Sequence, residues 1–97
     1  MYAVIFTSQQ SLNTKGYADM ALRMEELVKT MPGFLGVDSC RNEKGFGITI
    51  SYWKSLEDIK NWKNNLEHKQ AQQLGKEKWY QHYKIKICKI EKKYEFN

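Results

Sequence analysis

Apolar and polar positions divide the chain into four alternating stretches and two helical ones. From Tyr2 to Thr7, the residues Tyr2, Val4 and Phe6 alternate with Ala3 and Ile5, which is the period of a β-strand. Both sets are apolar, so both faces should be covered. Ser8 to Gly16 is polar and reads as a loop. From Tyr17 to Met31, Tyr17, Met20, Met24, Leu27, Val28 and Met31 recur at helical spacing, and Arg23, Glu25, Glu26 and Lys29 fill the remainder. The methionines suit a core face, where a flexible thioether fills gaps. Pro32 ends this helix, because the residue before a proline avoids helical dihedrals.

A second strand is predicted over Leu35 to Arg41 and a third over Phe46 to Trp53, joined through the tight connection Asn42-Glu43-Lys44-Gly45. In the third strand Phe46, Ile48, Ile50 and Tyr52 share one face, and Gly47, Thr49, Ser51 and Trp53 the other. Ser55 has the character of an N-cap, with Glu57 and Asp58 favourably placed near the helix start. Leu56, Ile59, Trp62 and Leu66 continue as a helical stripe, and the helix is expected to reach Leu74, where Gly75 breaks it. Glu77 to His82 is expected to add a short turn. A last strand is expected from Tyr83 to Phe96. A change of phase between Ile87 and Cys88 suggests a bulge there, or a change in which face is buried. Fourteen residues is long for a strand in so small a sheet, and the excess could reach a partner subunit.

The order βαββαβ is that of an α+β, ferredoxin-like domain with a four-stranded antiparallel sheet. Both helices should cover one face. The other face carries apolar residues, and two sheets packed face to face in a symmetric dimer would cover it. The 97 residues make one domain, small enough that its own core is marginal and a partner chain would help.

Composition narrows the chemistry further. The net charge is +5, with lysines densest between Lys84 and Lys93. Such an excess attracts anions or nucleic acid, but more often it is a solvated basic face. Cys40 and Cys88 form no CxxC motif, zinc spacing or disulfide framework. In apolar strand contexts they should act as small hydrophobes. No basic leader precedes the first strand, and no apolar run reaches membrane-spanning length, so a reducing cytoplasm is expected. Hydrolase triads, phosphate loops, HExxH and paired carboxylates are absent from the sequence.

The spacing Pro32-Gly33-Phe34-Leu35-Gly36, then Tyr52-Trp53-Lys54-Ser55-Leu56-Glu57, Trp62, His68, Gly75, Trp79-Tyr80 and Tyr83 resembles the antibiotic biosynthesis monooxygenase family over nearly the whole chain. The resemblance implies a dimeric α/β barrel. It also implies cofactor-independent oxidation of polycyclic phenols or anthrones, or, in another branch, haem degradation. That branch uses a helix tryptophan, an iron-ligating histidine ten residues later and a first-strand asparagine. Here Trp62 matches, but Gln72 and Thr7 stand at the other two positions.

The cofactor-free reaction needs few groups. A deprotonated electron-rich phenol can itself reduce oxygen, so the protein must supply an apolar pocket between helices and sheet, stabilisation of the anion and a base. Trp62 is the candidate to stack on a flat substrate and His68 to manage a proton. Tyr52 and Tyr80 are further substrate-binding candidates. No cofactor or metal is expected, and the expected partners are a second copy of the chain and a small aromatic ligand. The blander alternative is a non-catalytic dimeric protein that binds a small ligand, haem included. Each candidate has a structural explanation too: Trp62 and Tyr52 as core, His68 as a hydrogen-bonded surface residue.

RNA-recognition modules share the element order, and Lys44-Gly45-Phe46-Gly47 matches the first half of their RNP1 pattern. The second half fails, since Ile48 and Ser51 stand where further stacking aromatics belong. The reading therefore goes against nucleic acid.

Overall fold

The computed structural model describes all 97 residues. Strands β1 (Tyr2–Gln10), β2 (Phe34–Arg41), β3 (Phe46–Trp53) and β4 (Tyr80–Lys89) form one sheet in the order β2-β3-β1-β4, with every neighbouring pair antiparallel. Helix α1 (Tyr17–Val28) links β1 to β2. Helices α2 (Leu56–Asn64) and α3 (Leu66–Leu74), followed by a π-helical turn (Gly75–Trp79), link β3 to β4. This is the expected ferredoxin-like βαββαβ arrangement.

The register assigns the two faces of the sheet. Residues directly opposite each other point the same way. Tyr2, Val4, Phe6 and Ser8 of β1 lie opposite Trp53, Ser51, Thr49 and Gly47 of β3 and opposite Lys89, Ile87, Ile85 and Tyr83 of β4. Tyr2 and Val4 pack, with Met31, Phe34 and Trp62, against a core of Val28, Trp53 and Ile59, so this is the helix side. Ala3, Ile5, Thr7, Phe46, Ile48, Ile50, Tyr52, Lys84 and Lys86 occupy the other side, which no helix covers. Only eight of the 97 residues are buried, as expected where one face of a small sheet stands open.

Local chemistry explains the differences from the sequence expectations. β1 runs three residues further than predicted because the Gln10 N–H bonds the Gly45 carbonyl. Helix α1 stops at Val28 rather than Met31. The Thr30 and Met31 N–H groups bond back to Leu27 and Val28, and the Thr30 hydroxyl takes the Leu27 carbonyl at 2.7 Å, tightening the last turn. β4 begins at Tyr80 and ends at Lys89, with Ile90 N–H to the Met1 carbonyl as its last bond to β1. Residues 91–97 have no strand opposite them, and the register runs unbroken through Ile87, Cys88 and Lys89, so no bulge lies at Ile87 and Cys88 simply takes the opposite face. The irregularity in β4 lies at its other end, where Gln9 faces His82 and Gln10 faces Tyr80. Cys40 and Cys88 are exposed rather than packed as core.

Candidate functional site

The predicted single helix from Ser55 to Leu74 is two helices, and the break makes the site. At its start Ser55 is the N-cap. Its Oγ accepts the Asp58 N–H at 3.1 Å and lies 2.8 Å from Asp58 Oδ2. Gly33, at φ 81°, gives Asp58 its place: a Cβ there would collide with the Asp58 carboxylate. The Pro32-Gly33 turn and the Ser55-Asp58 cap are thus one joint. At Asn65 the backbone turns extended (φ −60°, ψ 132°), and its side-chain oxygen accepts the N–H groups of Glu67 at 3.0 Å and His68 at 3.2 Å. Asn65 therefore starts α3 as its N-cap. Arg23 grips Glu67 through two 2.8 Å contacts, tying the new helix to α1.

The break folds His68 back onto Trp62. On a continuous helix a six-residue separation would have sent it to another face. Here the rings stack with centroids 4.1 Å apart and planes 14° apart. Trp62 in turn stacks towards Trp53 at 6.4 Å. His68 Nδ1 lies 2.9 Å from the Trp62 carbonyl oxygen. A carbonyl can only accept, so Nδ1 carries the proton, and in neutral imidazole Nε2 then carries the lone pair. Burial pushes the His68 pKa below its ordinary value, against the smaller opposing pull of the Trp62 carbonyl. The imidazole is neutral at pH 7 and presents Nε2 as an acceptor.

Tyr80 belongs to a second cluster. The π-helical turn buries Trp79, whose Nε1–H bonds the Lys15 carbonyl at 2.9 Å. Gly75 makes room for the Tyr80 ring, which a Cβ would meet at 2.9 Å. Phe6, Tyr17 and Tyr83 surround Tyr80 with centroids 5.5, 5.9 and 6.0 Å away. Arg41 lies over Tyr17 and Tyr80, its Cζ 5.8 and 5.9 Å from their centroids. It also donates to Gly45 O at 2.6 Å and Ser8 Oγ at 2.9 Å. Burial, helped by the Tyr17 hydroxyl and opposed by Arg41, pushes the Tyr80 pKa up, so Tyr80 stays protonated. Gly47 also has a packing explanation: a Cβ there would sit 2.6 Å from Arg41 Cζ. The half-match to RNP1 is thus a turn glycine, Gly45 at φ 84°, and an arginine seat.

Tyr52 does not join either group. It projects from the face without helices, where its hydroxyl donates to Asp38 Oδ2 at 3.2 Å. There it borders a hollow of about 460 Å³ with Met1, Leu35, Ile90 and Tyr94. A second hollow, of about 400 Å³, lies between α1 and α3 beside Met20, Arg23, Leu74 and Trp79. Neither contains Trp62 or His68. The helix side of β4 is an open apolar ledge, with Ile85 45% and Ile87 52% exposed beside Phe6 and Val4 of β1. Thr7, at the position of the haem branch's asparagine, lies on the face without helices. With Gln72 at the ligand position, these residues do not fit that haem arrangement.

Sequence reasoning missed Asn65, Tyr17 and Arg41. Asn65 left a signal, an N-cap residue followed by an acidic first turn. Arg41 left none, since its partners Ser8 and Tyr17 lie 33 and 24 residues away.

The family model for antibiotic biosynthesis monooxygenase matches residues 3–74. The uncharacterized protein YqjZ of Bacillus subtilis (strain 168) is 44% identical over 91 residues, covering 94% of this chain and 80% of YqjZ. The chain belongs to the antibiotic biosynthesis monooxygenase family. Among solved structures, Rv0793 of Mycobacterium tuberculosis superposes with a TM-score of 0.83 at 10% identity, covering 95% of this chain and 96% of Rv0793. SnoaB of Streptomyces nogalater, described as a cofactor-independent oxygenase, does so with a TM-score of 0.79 at 7% identity, covering 95% of this chain and 94% of SnoaB. At such identities the two structures show that the family fold is shared. No helix of this family member is long and apolar enough to cross a membrane.

Proposed function

We propose that this chain is a cofactor-independent monooxygenase that oxidises a small, flat, electron-rich phenol with O2 on the helix side of its sheet. The observation that carries the reading is the Trp62–His68 stack, in which a neutral imidazole whose Nε2 is free to take a proton lies on the face of the Trp62 indole. Membership of the monooxygenase family supports it.

In this reading His68 Nε2 takes the phenolic proton. The resulting anion passes an electron to O2, and the radical pair combines into a hydroperoxide at a ring carbon that carries hydrogen. Loss of that C–H proton and cleavage of the O–O bond leave a carbonyl. The departing oxygen leaves as water, taking up the proton held by His68. One oxygen atom enters the product and the other becomes water. The substrate supplies all four electrons, so the balance requires no external reductant. Trp62 orients the ring, and His68 moves the proton.

We further propose that the working form is a homodimer. The face without helices exposes Phe46 and Ile48 beside Ile5 and Ile50, and a second copy of the same sheet would cover them. Light scattering should then give about 23 kDa, twice the 11.5 kDa chain.

The test is oxygen uptake across a panel of phenols and anthrones. A turned-over substrate should consume one O2 per carbonyl formed. His68→Ala should lower kcat by about 10²-fold or more, and Trp62→Phe should mainly raise KM. Turnover unchanged in both variants would overturn the assignment. Tight binding without oxygen uptake would favour the non-catalytic ligand binder.

A further inference from the structure

The hydroxyl protons around Arg41 do not balance within the chain. Arg41 Nη2 donates to the Tyr17 hydroxyl at 3.4 Å, and the Tyr80 hydroxyl donates to the same oxygen at 3.4 Å. The Tyr17 oxygen therefore accepts twice, and its own proton meets no protein acceptor. Reversing the tyrosine pair moves the surplus to Tyr80 but does not remove it. Two phenols share one internal bond, so one O–H is always left without a protein acceptor. Behind it stands a guanidinium with no carboxylate partner, since the ion pairs of this chain all lie elsewhere. Both outer nitrogens of Arg41 are already bonded to Ser8, Gly45 and Tyr17. Arg41 is thus a fixed positive charge supporting a free hydroxyl donor, which is how an oxyanion is stabilised.

The cluster is also well placed. Ser8, bonded to Arg41, and Val4, packed on the Trp53 core, lie on the same face of β1. They are four residues apart, or about 14 Å at 3.4 Å per residue. Phe6 lies between them, with Ile85 opposite it on the exposed ledge of β4. A flat ligand on this ledge would have one end towards Trp62 and His68 and the other towards the tyrosine pair.

We propose that Tyr17 and Tyr80, backed by Arg41, form an oxyanion subsite that selects flat aromatic ligands carrying an acidic oxygen at the end remote from His68. This rests on the helix-side ligand surface argued above and adds a substrate feature to it. The subsite has a distinctive redundancy. In Tyr80→Phe the Tyr17 proton is still free, and in Tyr17→Phe the Tyr80 proton becomes free. Only the double variant has no hydroxyl donor, although it frees the Arg41 N–H that Tyr17 had accepted.

The experiment compares anthracene-2-carboxylate with anthracene-2-methanol by tryptophan fluorescence quenching on the full chain. Wild type should bind the carboxylate about tenfold tighter than the alcohol, the scale of one charge-assisted hydrogen bond. Each single variant should keep that preference within about threefold. Tyr17→Phe/Tyr80→Phe should lose most of it, the remainder resting on the freed Arg41 N–H, while binding the alcohol as wild type does. Loss of a merely structural role would weaken both probes together and would not spare the single variants. Equal binding of the two probes by wild type would mean that the free hydroxyl meets only water; that result, or a preference undiminished in the double variant, overturns the subsite and leaves the aromatic surface standing. If neither probe binds, the helix-side ligand surface falls, and the subsite falls with it.

Discussion

The two aromatic clusters on the helix side are built in opposite ways. Trp62 and His68 are six residues apart, and one capping side chain, Asn65, brings them together. Tyr17, Arg41 and Tyr80 come from α1, β2 and β4, and Arg41 is seated by Ser8, Gly45 and the absence of a side chain at Gly47. The first cluster is a stacked pair with a neutral base. The second is a ring of phenols around an uncompensated cation. A local cluster can be reshaped by one substitution at its hinge, whereas a tertiary one fails only with the fold around it or by loss of its own hydroxyls.

The most severe way to break the comparison is to remove the core on which the first cluster packs. Trp53 is fully buried and holds Trp62 and Phe34 at 6.4 and 5.5 Å. Trp53→Ala should destabilise the chain by about 3–5 kcal/mol, read from urea denaturation. A loss below about 1 kcal/mol would mean that Trp53 is not the core's centre.

At the second cluster, Gly47→Ala places a methyl group against the Arg41 guanidinium. Because Arg41 is held at several points, relief requires several bonds to shift, and the cost should be about 1–3 kcal/mol. Nuclear magnetic resonance should show the Tyr17 and Tyr80 ring signals moving while those of Trp62 stay in place. Movement at Trp62 instead would show that the clusters are coupled.

At the first cluster, Asn65→Ala removes the cap of α3 and should cost about 1 kcal/mol. It should also loosen the stack, so that the His68 pKa rises towards 6.5. These hinges mark how far the sequence could be read. The element order, the β2–β3 hairpin and the Ser55 cap were legible because each follows from neighbouring residues. The break at Asn65 was hidden by Leu66, which continued the stripe of Leu56, Ile59 and Trp62 across it. Arg41 was illegible because nothing local distinguishes it from any arginine at the end of a strand. Tyr52 was misplaced towards the helix-side site because aromatic character does not reveal which face of a sheet is covered.

Stability against pH sharpens the same point. His68 has a folded pKa below its unfolded value, so the unfolded chain binds its proton first as pH falls. The contribution is complete above the unfolded value, near 6.5, and is lost as pH falls from there through the folded pKa. His68→Gln should flatten this part of the stability curve, measured by urea denaturation between about pH 7 and pH 5. An unchanged slope would mean that another group controls the window.

The smallest expected effect comes from the residue that belongs to neither cluster. Tyr52→Phe removes only the hydroxyl that donates to Asp38, on the face opposite the helices. Stability should change by no more than about 0.5 kcal/mol. Quenching of the tryptophans by anthracene-2-carboxylate should be unchanged, because Trp53 and Trp62 belong to the helix side and Tyr52 does not. If Tyr52→Phe instead weakens that binding as much as Trp62→Phe does, the ligand lies in the hollow beside Met1, Leu35 and Tyr94. The functional surface would then be the face between two sheets, and the helix-side clusters would be structural supports.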